Sequence, residues 1–340
     1  MRAGIENWFL RHWYDTQLPP WYLRMLEPVY RSAYHYTQKK GKTPSARYRS
    51  VVPLIVVGNI TAGGSGKTPL VIRLCQLALD MNIKVGIAST GYARQSTDTF
   101  VVNSESDTLL CGDEPVLLAK RTGVPVVVAA RRRDAIRKLN KMDLDLVFSD
   151  DGLQQADLDR DIEICVVDGL RGLGNGHLLP AGPLRESAAR LRRVDYVITN
   201  GIWGEKPDDL QVTEMRLEAG RVCALDGTGN ISVDEFRQNY NRERVHAVAG
   251  IGHPQRFFRT LETLGISAKS HAFPDHHLFT QKDFESITSD SAIIMTEKDA
   301  VKCHSLGLDN AWYLPVNTLL PGEFEVVFKQ RLVSLMKERK

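Results

Sequence analysis

The sequence predicts an α/β protein: a doubly wound parallel sheet, a second, smaller α/β lobe, and a helical segment in front of both. Three observations carry that prediction. Six apolar, β-rich runs at 51–57, 83–88, 124–130, 144–148, 162–167 and 194–199 alternate with helical or loop stretches, the rhythm of parallel strands joined by crossovers. A second series of strands and helices follows from residue 246. The first 36 residues concentrate nine of the chain's aromatics. The expected organisation is an N-terminal segment at 1–45, a main domain at 46–215, a strand-rich hinge at 216–235, a second lobe at 236–322 and a closing helix at 323–340.

A length of 340 residues exceeds one typical domain. Hydrophobic content of 43% with 25% charged residues belongs to a globular chain able to bury a sizeable core. The net charge of +3 is too small to argue for nucleic acid. Cys75, Cys111, Cys165, Cys223 and Cys303 form no C-x-x-C pair, which points to packing in a reducing compartment, not to disulfides or zinc. Residues 1–20 lack the continuous apolar core of a secretory signal. No run of 18 apolar residues is present to span a bilayer as a helix.

The N-terminal segment holds Trp8, Phe9, Trp13, Tyr14, Trp21, Tyr22, Tyr30, Tyr34 and Tyr36. Nine Lys/Arg face only Glu6, Asp15 and Glu27 in residues 1–49, a local excess of positive charge. Trp and Tyr settle at the headgroup level, and each well-placed cation adds roughly 1 kcal/mol near anionic lipid. The segment is therefore expected to associate with a membrane surface carrying anionic lipid. A helical arm packed on its own globule, or on a partner, through the same aromatics is the other reading open at this point.

At 58–68 the chain reads GNITAGGSGKT, between the apolar run 51–57 and a helical pattern that has Pro69 in its first turn. Strand, glycine-rich loop, Gly-Lys-Thr and helix is the setting of a phosphate-binding loop, so the main domain is expected to be P-loop NTPase-like. Gly63, Gly64 and Gly66 let backbone N–H groups turn toward one anion, with Thr61 and Ser65 in the same loop. The helix N-terminus adds its positive dipole end. Lys67 is expected on the β/γ-phosphates of ATP and the Thr68 hydroxyl on Mg²⁺. The usual spacing puts Gly where this chain has Thr61.

Ligands of such sheets bind beyond the C-terminal strand ends. The run 144–148 leads into Ser149-Asp150-Asp151-Gly152-Leu153-Gln154, and an apolar strand ending in Asp holds a carboxylate near a Mg²⁺ shell. Two adjacent acids can divide the work, one toward the metal and one toward a water or the loop. Asp168, at the end of 162–167, is a rival on the same logic, though a lone Asp there is common as a cap. Asp113 and Glu114 open a helical pattern after Cys111-Gly112, as dipole-complementing acids or as a carboxylate able to take a hydroxyl proton. Arg131, Arg132 and Arg133 follow another strand, where a guanidinium can hold ATP or an anionic substrate. The stretch 171–186 is a long loop dense in Gly and Pro, and such loops are often functional.

The second series carries no phosphate loop and is expected to clamp substrate or close the cleft. Its Asp275-His276-His277 lacks further ligands at metal spacing, and a cleft-facing His that tunes a carboxylate of the main domain is the sharper reading. Thr296-Glu297-Lys298-Asp299 is similar to a guanine-reading element with Lys one position late, which argues against a GTPase. A P-loop ATPase acting as a membrane-associated switch or assembly factor is the alternative function.

Taken together, GNITAGGSGKTP (58–69), GDEP (112–115), DDGLQ (150–154), LPAGPLRE (179–186), GIGHP (250–254), FPDH (273–276) and TEKDA (296–300) resemble the tetraacyldisaccharide 4'-kinase family, the lipid A kinases. The resemblance runs in order over nearly the whole chain, and that family shares the departure at Thr61. It implies ATP- and Mg²⁺-dependent phosphorylation of the 4'-hydroxyl of a lipid A disaccharide 1-phosphate precursor at the cytoplasmic face of the bacterial inner membrane, with no nucleic acid and no protein partner. It also implies Lys67 and Thr68 as the P-loop Lys and Mg²⁺ ligand, and Asp113 paired with His276 as the catalytic dyad. Asp150 and Asp151 are implied as acids near Mg²⁺, and Gln154 and Glu186 as further active-site positions. Arg131 joins them from the basic run already noted.

Overall fold

The computed structural model describes residues 2–14, 18–41, 43, 47–92, 94–240, 244–287 and 291–339, with side chains from Trp8 onward. Two helices come first, α1 (Arg2–Tyr14) and α2 (Trp21–Gly41). The main domain then runs β1 (Tyr48–Arg49), β2 (Leu54–Gly58), α3 (Lys67–Leu79), β3 (Val85–Ser89), β4 (Phe100–Val102), α4 (Thr108–Cys111) and α5 (Asp113–Thr122). It continues through β5 (Val126–Val128), α6 (Arg132–Leu139), β6 (Leu146–Asp150), β7 (Leu158–Asp159), β8 (Ile162–Asp168), β9 (Tyr196–Asn200) and β10 (Thr213–Ala219). The second lobe comprises β11 (Val222–Ala224), β12 (Asn230–Ile231), α7 (Val233–Asn239), β13 (Val245–Ala249), α8 (Pro254–Thr263), β14 (Lys269–Ala272), β15 (Ala292–Thr296), α9 (Glu297–Cys303) and β16 (Ala311–Leu314). The chain ends with β17 (Val316–Leu319) and α10 (Gly322–Glu338).

Nine strands form the main sheet in the order β17-β10-β9-β8-β2-β6-β3-β5-β4. The seven inner strands are parallel, and the two edges, β17 and β4, are antiparallel. A parallel strand covered on both faces has to be apolar at every position, and β2 is buried along its whole length. Its side chains divide by the period of two. Ile55 and Val57 enter a core with Leu70, Leu74 and Phe328, whereas Leu54 and Val56 enter another with Ile136, Leu139 and Leu153. The second lobe has its own six-stranded sheet, β12-β11-β16-β15-β13-β14, and its own core around Phe236, Leu261 and Ile294.

The passage between the lobes differs from the single hinge expected at 216–235. Residues 213–219 belong to the main sheet as β10, paired with β9 and β17. The chain leaves at Gly220 and returns beyond Pro315, and the Gly220 N–H donates to the Pro315 carbonyl at 2.8 Å. Two strands thus cross side by side. The C-terminal helix α10 likewise belongs to the main domain, because Phe324, Phe328, Leu332 and Leu335 are buried in the core shared with α3. The boundary expected at 45/46 lies outside the described residues.

The arm is both docked and exposed. Trp13 Nε1 donates to the Pro180 carbonyl at 3.0 Å, the Tyr30 hydroxyl to the Arg185 carbonyl at 3.0 Å, and Gln38 Nε2 to the Gln154 carbonyl at 2.9 Å. Glu27 holds His177 at 2.8 Å. On the opposite side Trp21, Tyr22, Met25, Leu26, Val29 and Tyr36 stay exposed, most of them one stripe of α2. Among the described residues, no helix is long and apolar enough to cross a membrane.

Phe328 is fully buried, 6.0 Å from Phe324 between ring centroids and 6.4 Å from Tyr196. Phe328→Ala should therefore cost the main domain about 3–5 kcal/mol, measured by urea unfolding. A change within error would exclude α10 from that core.

Candidate active site

The loop after β2 is fixed by its neighbours. Thr61 sits in an antiparallel bridge with Leu184, the Ala62 N–H donates to the Pro183 carbonyl at 2.7 Å, and the Arg185 N–H donates to the Ile60 carbonyl at 2.7 Å. A bridged, extended residue needs no glycine, which is why Thr stands at 61. Gly66, by contrast, has φ +94 at the N-cap of α3, a conformation that side chains strain against. Gly63 has φ +101, Gly64 has open space around it, and Ser65 is buried. Lys67 and Thr68 form the first turn of α3, both half-buried.

The two acids after β6 have different surroundings. Asp151 lies 3.6 Å from Lys67 Nζ and receives Arg185 Nη1 at 3.0 Å. Burial opposes its charge, but Lys67 and Arg185 outweigh that and hold the carboxyl at about 2. Asp150 is buried, its Oδ1 has no hydrogen-bond partner among the described residues, and Arg132 bonds to its backbone carbonyl instead. Burial, then the charge of nearby Glu114, push its carboxyl up to about 7. Arg132 is thus the arginine set against these acids, while Arg131 stands exposed at the N-cap of α6.

Gln154 ties the loop to the 171–186 segment. Its Nε2 donates to the Asn59 carbonyl at 2.9 Å and to Glu186 Oε1 at 2.6 Å. Glu186 is buried and also meets Arg190 at 3.4 Å.

Asp113 opens α5 after Gly112, whose φ of +90 turns the chain sharply into the helix. Its Oδ2 is 3.0 Å from Nδ1 of His276, which comes from the second lobe. His277 faces the other way, 3.3 Å from Asp283 and packed on Phe273 and Phe279. Burial opposes ionisation of Asp113, yet the His276 hydrogen bond and the Lys298 ammonium outweigh it and bring the carboxyl down to about 2. An ionised carboxylate only accepts, so Nδ1–H of His276 is the donor.

Lys298 and Arg256 reach the site without a role assigned to them from sequence. Lys298 reaches Glu114 Oε1 at 3.1 Å and Asp113 Oδ2 at 3.7 Å. Arg256 bridges the lobes on the far side of the loop, 3.2 Å from Asp168 and 2.9 Å from Asn200 Oδ1. Asp168 also accepts the Leu170 N–H at 3.1 Å, so it caps a turn as well as holding an arginine. The second lobe overhangs the loop closely: a Cβ on Gly252 would stand 4.0 Å from the Gly64 nitrogen. Beside it, burial and then Arg171 depress His253 to about 4. The signal for Lys298 was present in TEKDA, where an apolar strand ends in a capping Thr296 and delivers the next residues to the strand-end rim.

Metal and nucleotide fit this donor set. Ser65 Oγ and Asp150 Oδ1 are buried polar atoms without a hydrogen-bond partner among the described residues, next to a glycine loop and a lysine. Among the described residues no group of three or more His, Cys, Asp or Glu could hold a metal alone. Mg²⁺ does not require such a group, since it is held by one or two protein oxygens plus phosphates and water.

Comparisons with known proteins bear on the family and the fold. Residues 19–333 match the family described as LpxK, tetraacyldisaccharide-1-P 4'-kinase. The tetraacyldisaccharide 4'-kinase of Alcanivorax borkumensis is 42% identical over 323 residues, covering 94% of this chain and 95% of the relative. That of Hahella chejuensis is 46% identical over 290 residues, 85% of this chain and 83% of the relative. The crystal structure of LpxK from Aquifex aeolicus in complex with ATP superposes with a TM-score of 0.74 at 28% identity, over 93% of this chain and 97% of that one. The chain belongs to the tetraacyldisaccharide-1-P 4'-kinase family.

Proposed function

We propose that this protein transfers the γ-phosphoryl group of ATP to the 4'-hydroxyl of a tetraacyldisaccharide 1-phosphate, a lipid A precursor, while associated with the cytoplasmic face of a bacterial inner membrane. The observation that carries the chemistry is the ionised Asp113 carboxylate, held by His276 of the opposite lobe on the rim of a glycine-lysine-threonine loop. Family membership supports the choice of substrate.

In this reading Gly63, Gly64 and Gly66 cradle the phosphates with Thr61 and Ser65, and Lys67 meets the β/γ-oxygens. Asp151 orients Lys67 and Arg185, the two cations it touches. Thr68 and Asp150 would hold Mg²⁺, which when bound neutralises charge on the phosphates. Asp113 takes the 4'-hydroxyl proton as the new O–P bond forms and the bond to ADP breaks in line. His276 fixes the direction of that carboxylate and, by lowering its pKa, makes it less basic rather than more. Gln154 and Glu186 brace the loop, and Arg131 faces solvent on the rim, where an anionic part of the substrate arrives.

The direct test is labelled ATP with lipid A disaccharide precursor, with and without the acceptor. Label in the lipid supports the kinase, whereas acceptor-independent hydrolysis alone would favour an ATPase switch. Asp113→Ala should lower turnover about 10²–10⁴-fold while ATP binding changes little. Equal losses in both would put Asp113 on the nucleotide.

Asp150 sets a pH dependence. With its carboxyl raised to about 7 before metal binds, protons compete with Mg²⁺ below that pH. The Mg²⁺ concentration for half-maximal nucleotide binding should climb about tenfold per pH unit below 7. Asp150→Asn should remove the slope in a calorimetric titration, and a slope that survives would move the metal to another acid.

The exposed stripe of α2 supports lipid contact. Deleting residues 1–36, or replacing Trp21, Met25 and Val29 together by Glu, should lower sedimentation with anionic vesicles, most clearly at low salt for the deletion. Full sedimentation of both variants would remove the arm from the membrane reading.

A further inference from the structure

The ammonium of Lys298 stands where the two lobes meet, with its side chain mostly buried. From the main domain it faces Asp113 and Glu114 of α5, at 3.7 and 3.1 Å. From its own lobe it faces Asp275 Oδ1 at 3.6 Å and Nε2 of His276 at 3.5 Å. Tyr92 packs on the His276 ring from the main domain, and Lys302, one turn along α9, is held by Asp299 at 2.6 Å.

An ammonium has three hydrogens to give and no lone pair to receive one. At its 3.5 Å contact with His276 it can only donate, so that contact is a hydrogen bond only in the tautomer whose Nε2 bears no hydrogen. The competing arrangement has Nε2–H directed at Asp275 Oδ1, 3.8 Å away. That oxygen already accepts the backbone N–H of His276 at 3.0 Å and lies beside Lys298. On the other side of the ring, Nδ1 is 3.0 Å from Asp113 Oδ2.

We propose that Lys298 is a positioning residue for phosphoryl transfer: it reaches across the lobe boundary, leaves Nε2 of His276 without a hydrogen, and so presents the ring to Asp113 as a neutral Nδ1–H donor. The same ammonium clamps Glu114, which fixes the start of α5 and with it the Asp113 carboxylate. The inference rests on the Asp113–His276 reading above. Burial opposes the charge on Lys298, but Glu114, Asp113 and Asp275 outweigh it and push its pKa up, so the donor persists throughout the working pH range.

The test combines ring nitrogen spectroscopy with kinetics on the full chain. In protein labelled with ¹⁵N-histidine, the His276 signal is identified by its loss in His276→Gln. At neutral pH it should show hydrogen on Nδ1 and an acceptor Nε2. In Lys298→Met, Nε2 should gain a hydrogen toward Asp275, and kcat should fall roughly 10- to 100-fold, short of losing a full proton acceptor. KM for ATP should stay within about twofold, as for a group that acts only in the transition state. Lys298→Arg, which keeps a donor, should retain the wild-type ring pattern and most of the turnover.

A wild-type ring with hydrogen on Nε2 overturns the proposal, as does a Lys298→Met protein with unchanged ring state and kcat. If Lys298→Met does not fold, the wild-type spectrum and Lys298→Arg decide. Full turnover in Asp113→Asn would fell the proton-acceptor reading instead, and the ring spectrum would still report on Lys298 separately.

Discussion

Carboxylates crowd the rim of one glycine-rich loop, and the structure around it is arranged by the need to neutralise them separately. Asp151 is taken by Lys67 and Arg185, and Glu114 by Lys298. Asp113 has His276 and, more distantly, Lys298. Among the described residues Asp150 Oδ1 has no hydrogen-bond partner, and Arg132 bonds to its backbone oxygen. Like charges in a buried site cannot all ionise without counter-charge, and Asp150 is the group whose pKa rises. Among the described residues, the buried Asp150 carboxylate beside the glycine-rich loop is thus a place where added positive charge would be favourable.

That distribution also explains why two lobes are needed. His276 and Lys298 come from the second lobe, Asp113 and Glu114 from the first. Arg256 makes a second cross-lobe contact to Asp168 and Asn200. The lobes are joined by two strands that pass side by side at Gly220 and Pro315, a connection that constrains their relative path more than a single linker does. Ion pairs on both flanks of the loop then hold the second lobe over it, which suits a reaction that must exclude water.

Much of this was legible in the sequence, and the reasons are local. The strand, glycine loop and helix at 51–79 are specified by short-range rules: an apolar β-branched run, glycines, and a proline in the first helical turn. Asp150 and Asp151 follow from a strand-end rule. The illegible parts were long-range. Nothing near Thr61 announces its bridge to Leu184, 123 positions later in the Gly- and Pro-rich loop. Strand β10 and helix α10 read as hinge and tail because their partners are distant in sequence. Arg131 and Arg132 are indistinguishable by type, and only the helix phase sends Arg132 inward to the Asp150 carbonyl. The arm follows the packing reading on one face, where α2 docks on the 171–186 loop, and leaves an apolar stripe outside.

A carboxylate held near pKa 2 is a weak base for a sugar hydroxyl, and this bears on how it works. Were the proton removed before bond formation, such a group would be poorly chosen, and its neighbours would be expected to raise its pKa. They lower it. In a loose, metaphosphate-like transition state the attacking oxygen has formed little bond, and its proton becomes strongly acidic only as the O–P bond closes. At that stage even a weak base accepts it, and what limits the rate is whether an ionised oxygen already lies in the right direction. A histidine donor fixed on one side and a lysine fixed behind it serve orientation at the expense of basicity. In the proposed mechanism the dyad would thus act as an aimed proton acceptor more than as an activated base, the low pKa following from the contacts that aim it.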